Sequence, residues 1–393
     1  MQNLNCFISS SNTKFKDFDR FTANLGDTVT FDLPPRFVVN NSLVVNWQPA
    51  DQRVQSLTVN KEGSVPYEFT AQQFIFNVQE YMARFGKGAI IELGAKIEAD
   101  VALNCVSNTY RFYGNGITPI NSFGQLGEMM AYFRNFGSIA YDYEGYLDDI
   151  AVSAIVNSGL NQFAPGRNDK MAMSWEVGKF DDCEWYRSNL LPVHYSGNVG
   201  VNGTVLTVLS TTLDSSGAVT AITFSGAGTS DASAVFQYDK FQFSDGVSGR
   251  TNLRALTFVG HNISRNPVQF AATAAAASDS SGHVTVNITP ALQVAPVNSQ
   301  NINTAIVAGM QVTALPSHRA GLITSGKPLF LAMPQLPDQY PFPTGNAYDP
   351  DTGVSMRQYY GVQFGNNAMG MVYDCIWGST LVPENSMMIA FPL

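Results

Sequence analysis

The chain has 393 residues, enough to bury a large core and to hold two or three domains. Apolar residues supply 45% of it and charged residues only 13%, which excludes a disordered chain and suits a surface consumed by contacts with other subunits. A formal net charge of −9 argues against sequence-independent nucleic-acid binding over the whole surface.

Residues 1–25 are polar with spaced aromatics (Phe7, Phe15, Phe18 and Phe21) and read as an extended or partly helical arm without its own core. Lys14, Lys16 and Arg20 form a small basic cluster there, read as a solvated face. The opening MQNLNCFISS lacks a basic n-region and an apolar h-region, so no secretory signal is expected. No run nears the ~18 apolar residues of a membrane span. From Gly26, GDTVTFDLPPRFVV alternates as a strand with Val29, Phe31 and Leu33 on one side, ended by Pro34 and Pro35. The runs SLVVNWQ and QSLTVN flank the turn-forming PADQ and predict a long projecting hairpin between Asn40 and Tyr67. Such a hairpin is marginal alone in water and is expected to lie on a neighbour.

Thr70 is a plausible N-cap for a short helix, AQQFIFNVQEYMARF, that ends at Gly86-Lys87-Gly88. The longest helical pattern follows, over Ala89 to Phe112. Ile90, Leu93, Ile97, Val101 and Cys105 form one stripe; Ile91, Ala95, Ala99, Leu103, Val106 and Tyr110 form a second. Glu92, Lys96 and Asp100 share the remaining face at i, i+4 spacing. This helix should run roughly 36 Å and stop at Asn115-Gly116. Further helices are predicted over 122–137, with Phe123, Leu126, Met130 and Phe133 inward, and over 144–160, with Leu147, Ile150, Ile155 and Leu160 inward. SIAYDY at 138–143 reads as a short buried strand between them, so this part is a small mixed α/β domain.

Near Tyr195 the composition shifts to Gly, Ser, Thr, Ala and Val, with short alternating strands up to about Pro316. TVLTVLS, VTAITFSG, KFQFSDG, VQFAATA and HVTVNITP predict an all-β barrel or sandwich inserted into the larger domain. From Arg319 the earlier composition returns. GKPLFLAMPQL, MRQYYGVQFG and MGMVYDCIWGSTLVPENSMMIAFPL read as strands, the last closing an earlier sheet at Ile389-Ala390-Phe391.

Residues suited to catalysis do not converge. His194, His261, His283 and His318 lack HxH or HxxxH spacing and read as loop or strand-edge residues. The cysteines at 6, 105, 183 and 375 are scattered, which fits buried thiols in a reducing compartment. No P-loop, GxGxxG or GxSxG is present, and SGAGTSDAS at 225–233 lacks the lysine of a phosphate cradle. The pairs Asp148-Asp149 and Asp181-Asp182 read as surface charge. Asp349-Pro350-Asp351-Thr352-Gly353 lacks the later acidic ligand of a calcium loop and reads as a turn. Trp175, Trp185 and Tyr186 read as core. No cofactor and no metal are expected.

The stretch from Arg167 to Tyr195 combines a charged lead-in, G-x-F-D-D at 178–182, R-S-x-x-L-P-V at 187–193 and then the abrupt β insertion. This resembles the major coat proteins of P-twenty-two-type tailed phages. Other pieces follow in the same order: GDTVTFDLPPRF, QSLTVNKEGSVPYEFTAQQF, YMARFGKGAIIELGAKIEADVAL, YDKFQFSDGV, VTVNITPAL and the segment from Asp349 to Ser386. The resemblance implies an α+β, Hong Kong 97-like capsid fold with an N-arm, an E-loop hairpin, a peripheral domain with a long spine helix, an axial domain and an inserted all-β barrel domain. It places the arm at 1–25, strand and E-loop at 26–70, the peripheral domain at 71–121, the axial domain at 122–194, the barrel at 195–318 and their completion at 319–393. The chain is shorter than such coats, and no partner for a Lys–Asn cross-link is identifiable.

The implied function is structural, not catalytic: a major capsid protein of the virion, assembling in the host cytoplasm into hexamers and pentamers of an icosahedral head. Implied partners are other copies of itself, a scaffolding protein, a portal protein, decoration proteins and packaged double-stranded DNA by non-specific contact, with no membrane. Phe15, Phe18, Phe21, Trp47, Leu57, Val59, Arg53 and Lys61 are the expected inter-subunit contacts, with the apolar ones covered only in the shell. A β-rich virion adhesin or carbohydrate-binding protein, and a hydrolase with a diffuse site, are the alternatives.

Overall fold

In the computed structural model, residues 26–39, 43, 47, 52–70, 85–137, 142–159, 178–244, 253–294, 298–338, 340–348, 353–363 and 368–393 are described. The arm, all but the last residue of the helix expected over 71–85, the SIAYDY run up to 141, Leu160, Trp175, the lead-in from Arg167 and most of the DPDTG turn lie outside them. In chain order the elements begin with β1 (Thr28–Leu33), β2 (Arg53–Thr58), β3 (Lys61–Thr70), α1 (Lys87–Asn108), β4 (Phe112–Tyr113), α2 (Phe123–Arg134), β5 (Tyr143–Leu147) and α3 (Asp149–Gly159). Then come β6 (Gly178–Phe180), β7 (Cys183–Arg187), β8 (Val193–His194), a one-turn helix at Asn198–Val201, β9 (Val205–Leu213), β10 (Val219–Ser225) and β11 (Lys240–Phe243). They continue with β12 (Arg254–Leu256), β13 (Ile263–Pro267), β14 (Gln269–Ala272), β15 (His283–Leu292), β16 (Gln311–Ala314) and β17 (His318–Ser325). The chain ends with β18 (Leu329–Ala332), β19 (Thr344–Tyr348), β20 (Ser355–Gln363), β21 (Ala368–Leu381), a 3-10 turn at Pro383–Asn385 and β22 (Ser386–Phe391).

Two units are formed, one from residues 1–33, 54–105 and 327–382, the other from 34–53, 106–326 and 383–393. In the first unit the 14-residue strand β21 is the backbone of the sheet. It pairs with β20 along one edge and with β3 over Lys61↔Trp377 to Thr70↔Ala368 along the other, and its last residues pair with β18. β3 tolerates Pro66 because it lies at the edge and needs no outward N–H there. Of the two runs predicted before Tyr67, SLVVNWQ lies almost wholly outside the described residues, and QSLTVN contributes to β2, which pairs with β1; KEGSVP becomes the start of β3. Helix α1 lies on this sheet. A Cβ on Gly63 would come within 2.9 Å of the Trp377 ring and 3.1 Å of Leu93, and Asn104 donates to the Ser379 carbonyl at 2.7 Å.

The first stripe of α1 is covered from Leu93 onward, the second only at its end, where Val106 and Tyr110 are buried. Leu93, Ile97, Val101 and Cys105 are buried, but Ile90, Ile91 and Leu103 stay 43%, 37% and 51% exposed. The polar face is braced by Lys96–Asp100 at 2.9 Å rather than by Glu92 and Lys96. The helix also ends four residues earlier than its pattern suggests, at Asn108 instead of Phe112. Sheet pairing takes over there: the Thr109 and Ser386 hydroxyls are 3.1 Å apart, and Phe112 and Tyr113 pair in parallel with Met388 and Ile389.

The second unit has a mixed sheet in the order β4-β22-β17-β5-β7-β6, with β8 also pairing β17, so the final strand does join earlier ones. Helices α2 and α3 cover it through Phe123, Leu126, Met130, Phe133, Val152 and Ile155 against Tyr143, Trp185, Ile323 and Phe391. Ser122 caps α2 by accepting from Gln125 N at 3.3 Å. The helix expected from residue 144 begins only at Asp149, and Glu144 to Leu147 are strand. Gly145 explains the difference. It lies opposite Trp185, and a Cβ there would meet that ring at 2.3 Å. Ile150, expected inward, is 61% exposed as a result.

Between Val205 and Ala314 six strands close a barrel in the order β10-β15-β14-β11-β16-β9. Its interior holds Phe224, Phe241, Phe243 and Phe270, with Phe241 and Phe270 stacked at 5.3 Å. The join to the mixed sheet is polar. The Gln269 side chain accepts from Phe112 N at 3.0 Å and donates to Phe112 O at 2.8 Å, pairing with β4 as a further strand would. Lys240, only 2% exposed, donates to Val106 O at 3.1 Å, one of the terminal α1 carbonyls that lack a helical partner. His194 Nε2 lies 2.8 Å from Asp239, whose carboxylate also accepts from Gly197 N at 3.0 Å and Phe236 N at 2.8 Å. His318, expected at a loop or strand edge, is fully buried and donates from Nδ1 to Pro316 O at 2.8 Å.

Loss of hydration holds the His318 pKa down, to about 3 from its ordinary 6.5, and it therefore stays neutral in the folded chain. As pH falls from 6.5 towards 3 the unfolded chain takes up this proton and the folded one does not, so stability is lost on acidification. Urea titrations across that window should show His318→Asn with a flatter pH dependence than the parent. Gly145→Ala should lose about 1–3 kcal/mol in the same assay, because the new methyl overlaps Trp185.

Candidate functional site

Three of the four carboxylates singled out as possible acid–base pairs are committed to ion pairs. Asp148 caps α3, accepting from Ile150 N at 3.3 Å, and pairs with Arg319, while Asp149 pairs with Arg187 at 3.0 Å. Asp181 pairs with Arg134 at 3.0 Å across a tight turn in which Asp181 and Asp182 have φ of 52° and 61°. Trp185 is 6% exposed and donates to Phe180 O at 3.3 Å. Burial pushes up the thiols of Cys105, Cys183 and Cys375, so they remain protonated and unreactive. Among the described residues no group of three His, Cys, Asp or Glu side chains is placed to hold a metal. No described helix is long and apolar enough to cross a membrane.

What the second unit does build is a clamp around Glu384, in the turn between β21 and β22. Arg53 donates from Nη1 to Glu384 Oε2 at 3.0 Å and from Nη2 to Oε1. Arg36 Nη2 approaches Oε1 at 2.6 Å, and Arg111 Nη1 donates to the Glu384 carbonyl at 2.8 Å. Arg111 lies over the rings of Phe136 and Phe258, each 4.1 Å from its guanidinium carbon, and Arg36 lies 4.3 Å from the Phe258 centroid. Burial lowers the pKa of Arg36 and Arg111 and raises that of Tyr110.

The clamp gathers the two arginines on either side of residues 37–52. Arg36 and Arg53 bracket residues 37–52, and both reach the same carboxylate. Inside the bracket Phe37, Val39, Leu43 and Trp47 are 55%, 74%, 105% and 93% exposed. Among the described residues between the two arginines, these four apolar side chains are left uncovered.

The predicted contact residues divide accordingly. Phe15, Phe18 and Phe21 lie outside the described residues. Trp47 is open as expected, and Lys61 is exposed at the start of β3. Leu57 and Val59, expected to be covered only in the shell, are 1% and 0% exposed in the single chain. They pack with Ala332 and Ile376 because β2 folds back on β1 instead of projecting. Arg53 finds its partner within the chain. Arg36, Arg111, Phe258 and Glu384 carry no local motif; Arg53 and Glu384 are 331 positions apart.

No protein-family model matches the sequence, and no curated protein matches it. Among solved structures, one from Mycobacterium phage Che8 is 6% identical, covering 98% of this chain and 90% of that one with a TM-score of 0.48. A capsid structure of the Cyanophage P-SCSP1u is 8% identical, covering 94% and 84% with a TM-score of 0.44. A mature capsid of bacteriophage PhiM1 is 7% identical, covering 97% and 88% with a TM-score of 0.41.

Replacing Glu384 by Gln removes the charge that holds the excursion at both ends. Urea unfolding should register a loss of about 1.5–3 kcal/mol, the range for hydrogen bonds to charged groups. Limited proteolysis should cut faster within 37–52 than in the parent.

Proposed function

We propose that this protein is the major capsid subunit of a tailed, double-stranded DNA phage, built on the Hong Kong 97 plan. The observation that carries the reading is the clamped excursion 37–52, with Trp47 93% and Leu43 105% exposed. A monomer gains nothing from fixing large apolar side chains in water; a subunit that meets its neighbours there does. The half-bare helix α1 supports the same reading, since Ile90, Ile91 and Leu103 are open beside a sheet that already covers its other face. So does the commitment of Asp148, Asp149 and Asp181 to ion pairs.

On this reading α1 is the spine helix, the segment bracketed by Arg36 and Arg53 is the E-loop, and the strands from 205 to 314 are the inserted barrel. The subunit works by shape and contact, not catalysis. It assembles with copies of itself into hexamers and pentamers of an icosahedral head, helped by scaffolding and portal proteins and receptive to decoration proteins. The shell encloses DNA, and the net charge of −9 limits sticking of DNA to its inner wall.

Negative-stain microscopy of the full-length protein tests this. Closed round shells are expected from the parent. Trp47→Ser should yield folded subunits, by circular dichroism, that assemble far less. A parent that remains monomeric under all assembly conditions, or a Trp47→Ser protein forming shells as readily as the parent, rejects the proposal.

A further inference from the structure

Glu384 does not balance the guanidiniums gathered on its turn. Among the described residues Arg36, Arg53 and Arg111 converge there, and its side chain is the one carboxylate they meet. Arg53 keeps an outlet to solvent, with 32% of its side chain exposed, whereas the Arg36 side chain is 14% exposed and Arg111 only 4%. Two of the buried nitrogens have no hydrogen-bond acceptor among the described residues. One is Arg111 Nε; the other is Arg36 Nη2, which touches Glu384 but lies off the hydrogen-bonding direction. Both guanidiniums line a single cavity, walled by Phe136, Phe258, Gln300 and Asn301.

A buried cation with unused donors and only a shared counter-charge is unfavourable, and arginine cannot relieve this by losing its proton. We propose that the Arg36–Arg111 cavity binds a small phosphate-class oxyanion. Among the described residues three guanidiniums face one carboxylate, which leaves two positive charges. Phosphate carries about −1.5 to −2 near neutral pH, which matches them. Guanidinium forks also suit the spread of its oxygens, and the two aromatic walls exclude water and so strengthen the attraction. Because Arg36 also anchors the excursion 37–52, a filled cavity tightens that end of the clamp.

The test uses the full-length subunit at neutral pH, titrated with inorganic phosphate by calorimetry and by thermal unfolding, against sodium chloride at equal ionic strength. One site per chain and a saturable rise in Tm beyond that with chloride are expected. Arg111→Lys keeps the charge but removes Nε, and Arg36→Gln removes the second cation; each should weaken binding roughly tenfold or more. Should Arg111→Lys fail to fold, Arg36→Gln decides alone. No saturable response beyond chloride, or equal affinity in Arg36→Gln and the parent, overturns the proposal.

Discussion

Three arginines meeting at the turn that carries Glu384 tie together four parts of the chain that lie far apart in sequence. Arg36 and Arg53 come from the two ends of the excursion at 37–52, Arg111 from just beyond α1, and Glu384 from just before the last strand. Such a junction is stable because each charge is held by geometry as well as attraction: the forked Arg53–Glu384 pair, the Arg111 bond to a backbone carbonyl, and the stacking of Arg36 and Arg111 on Phe258. The rest of the candidate site depends on it.

The barrel illustrates a different solution to the same difficulty of joining elements distant in sequence. Its interior is ordinary apolar packing around four phenylalanines, but its join to the mixed sheet uses single polar side chains as stand-ins for backbone. Gln269 completes the edge of β4, and Lys240 takes an α1 carbonyl left over at the helix end. Both are buried groups with their bonding satisfied, which a join can tolerate without adding apolar area. The barrel thus blunts a sheet edge that would otherwise be open to pairing.

Much was legible from local pattern. The strands between 205 and 314, the helix at 123–134 with its Ser122 cap, and the strand ending at Phe391 all follow from periodicity and turn chemistry. The misreadings have a common cause. Glu144 to Leu147 pattern as helix but are strand, because Trp185 needs Gly145 beneath it; α1 stops at Asn108 because Phe112 has a strand to join. Leu57 and Val59 were expected to await a neighbour, yet β2 finds β1 and buries them. In each case a partner distant in sequence outweighed a local preference of a kcal/mol or less.

The amino-acid sequence by itself determined where strands and helices could form, the all-β character of 205–314, and the lack of a convergent catalytic motif. These are properties of spacing and residue type, carried by contacts within a few positions. Which apolar residues stay open, and which charges meet, only the tertiary structure decided. Trp47 and Leu57 look alike in the sequence, as apolar residues in β-like runs, yet one is exposed and the other buried. The difference lies in strand pairing and in an ion pair spanning 331 positions, neither of which leaves a local trace. Burial is a property of the whole fold, since it depends on what the rest of the chain brings alongside.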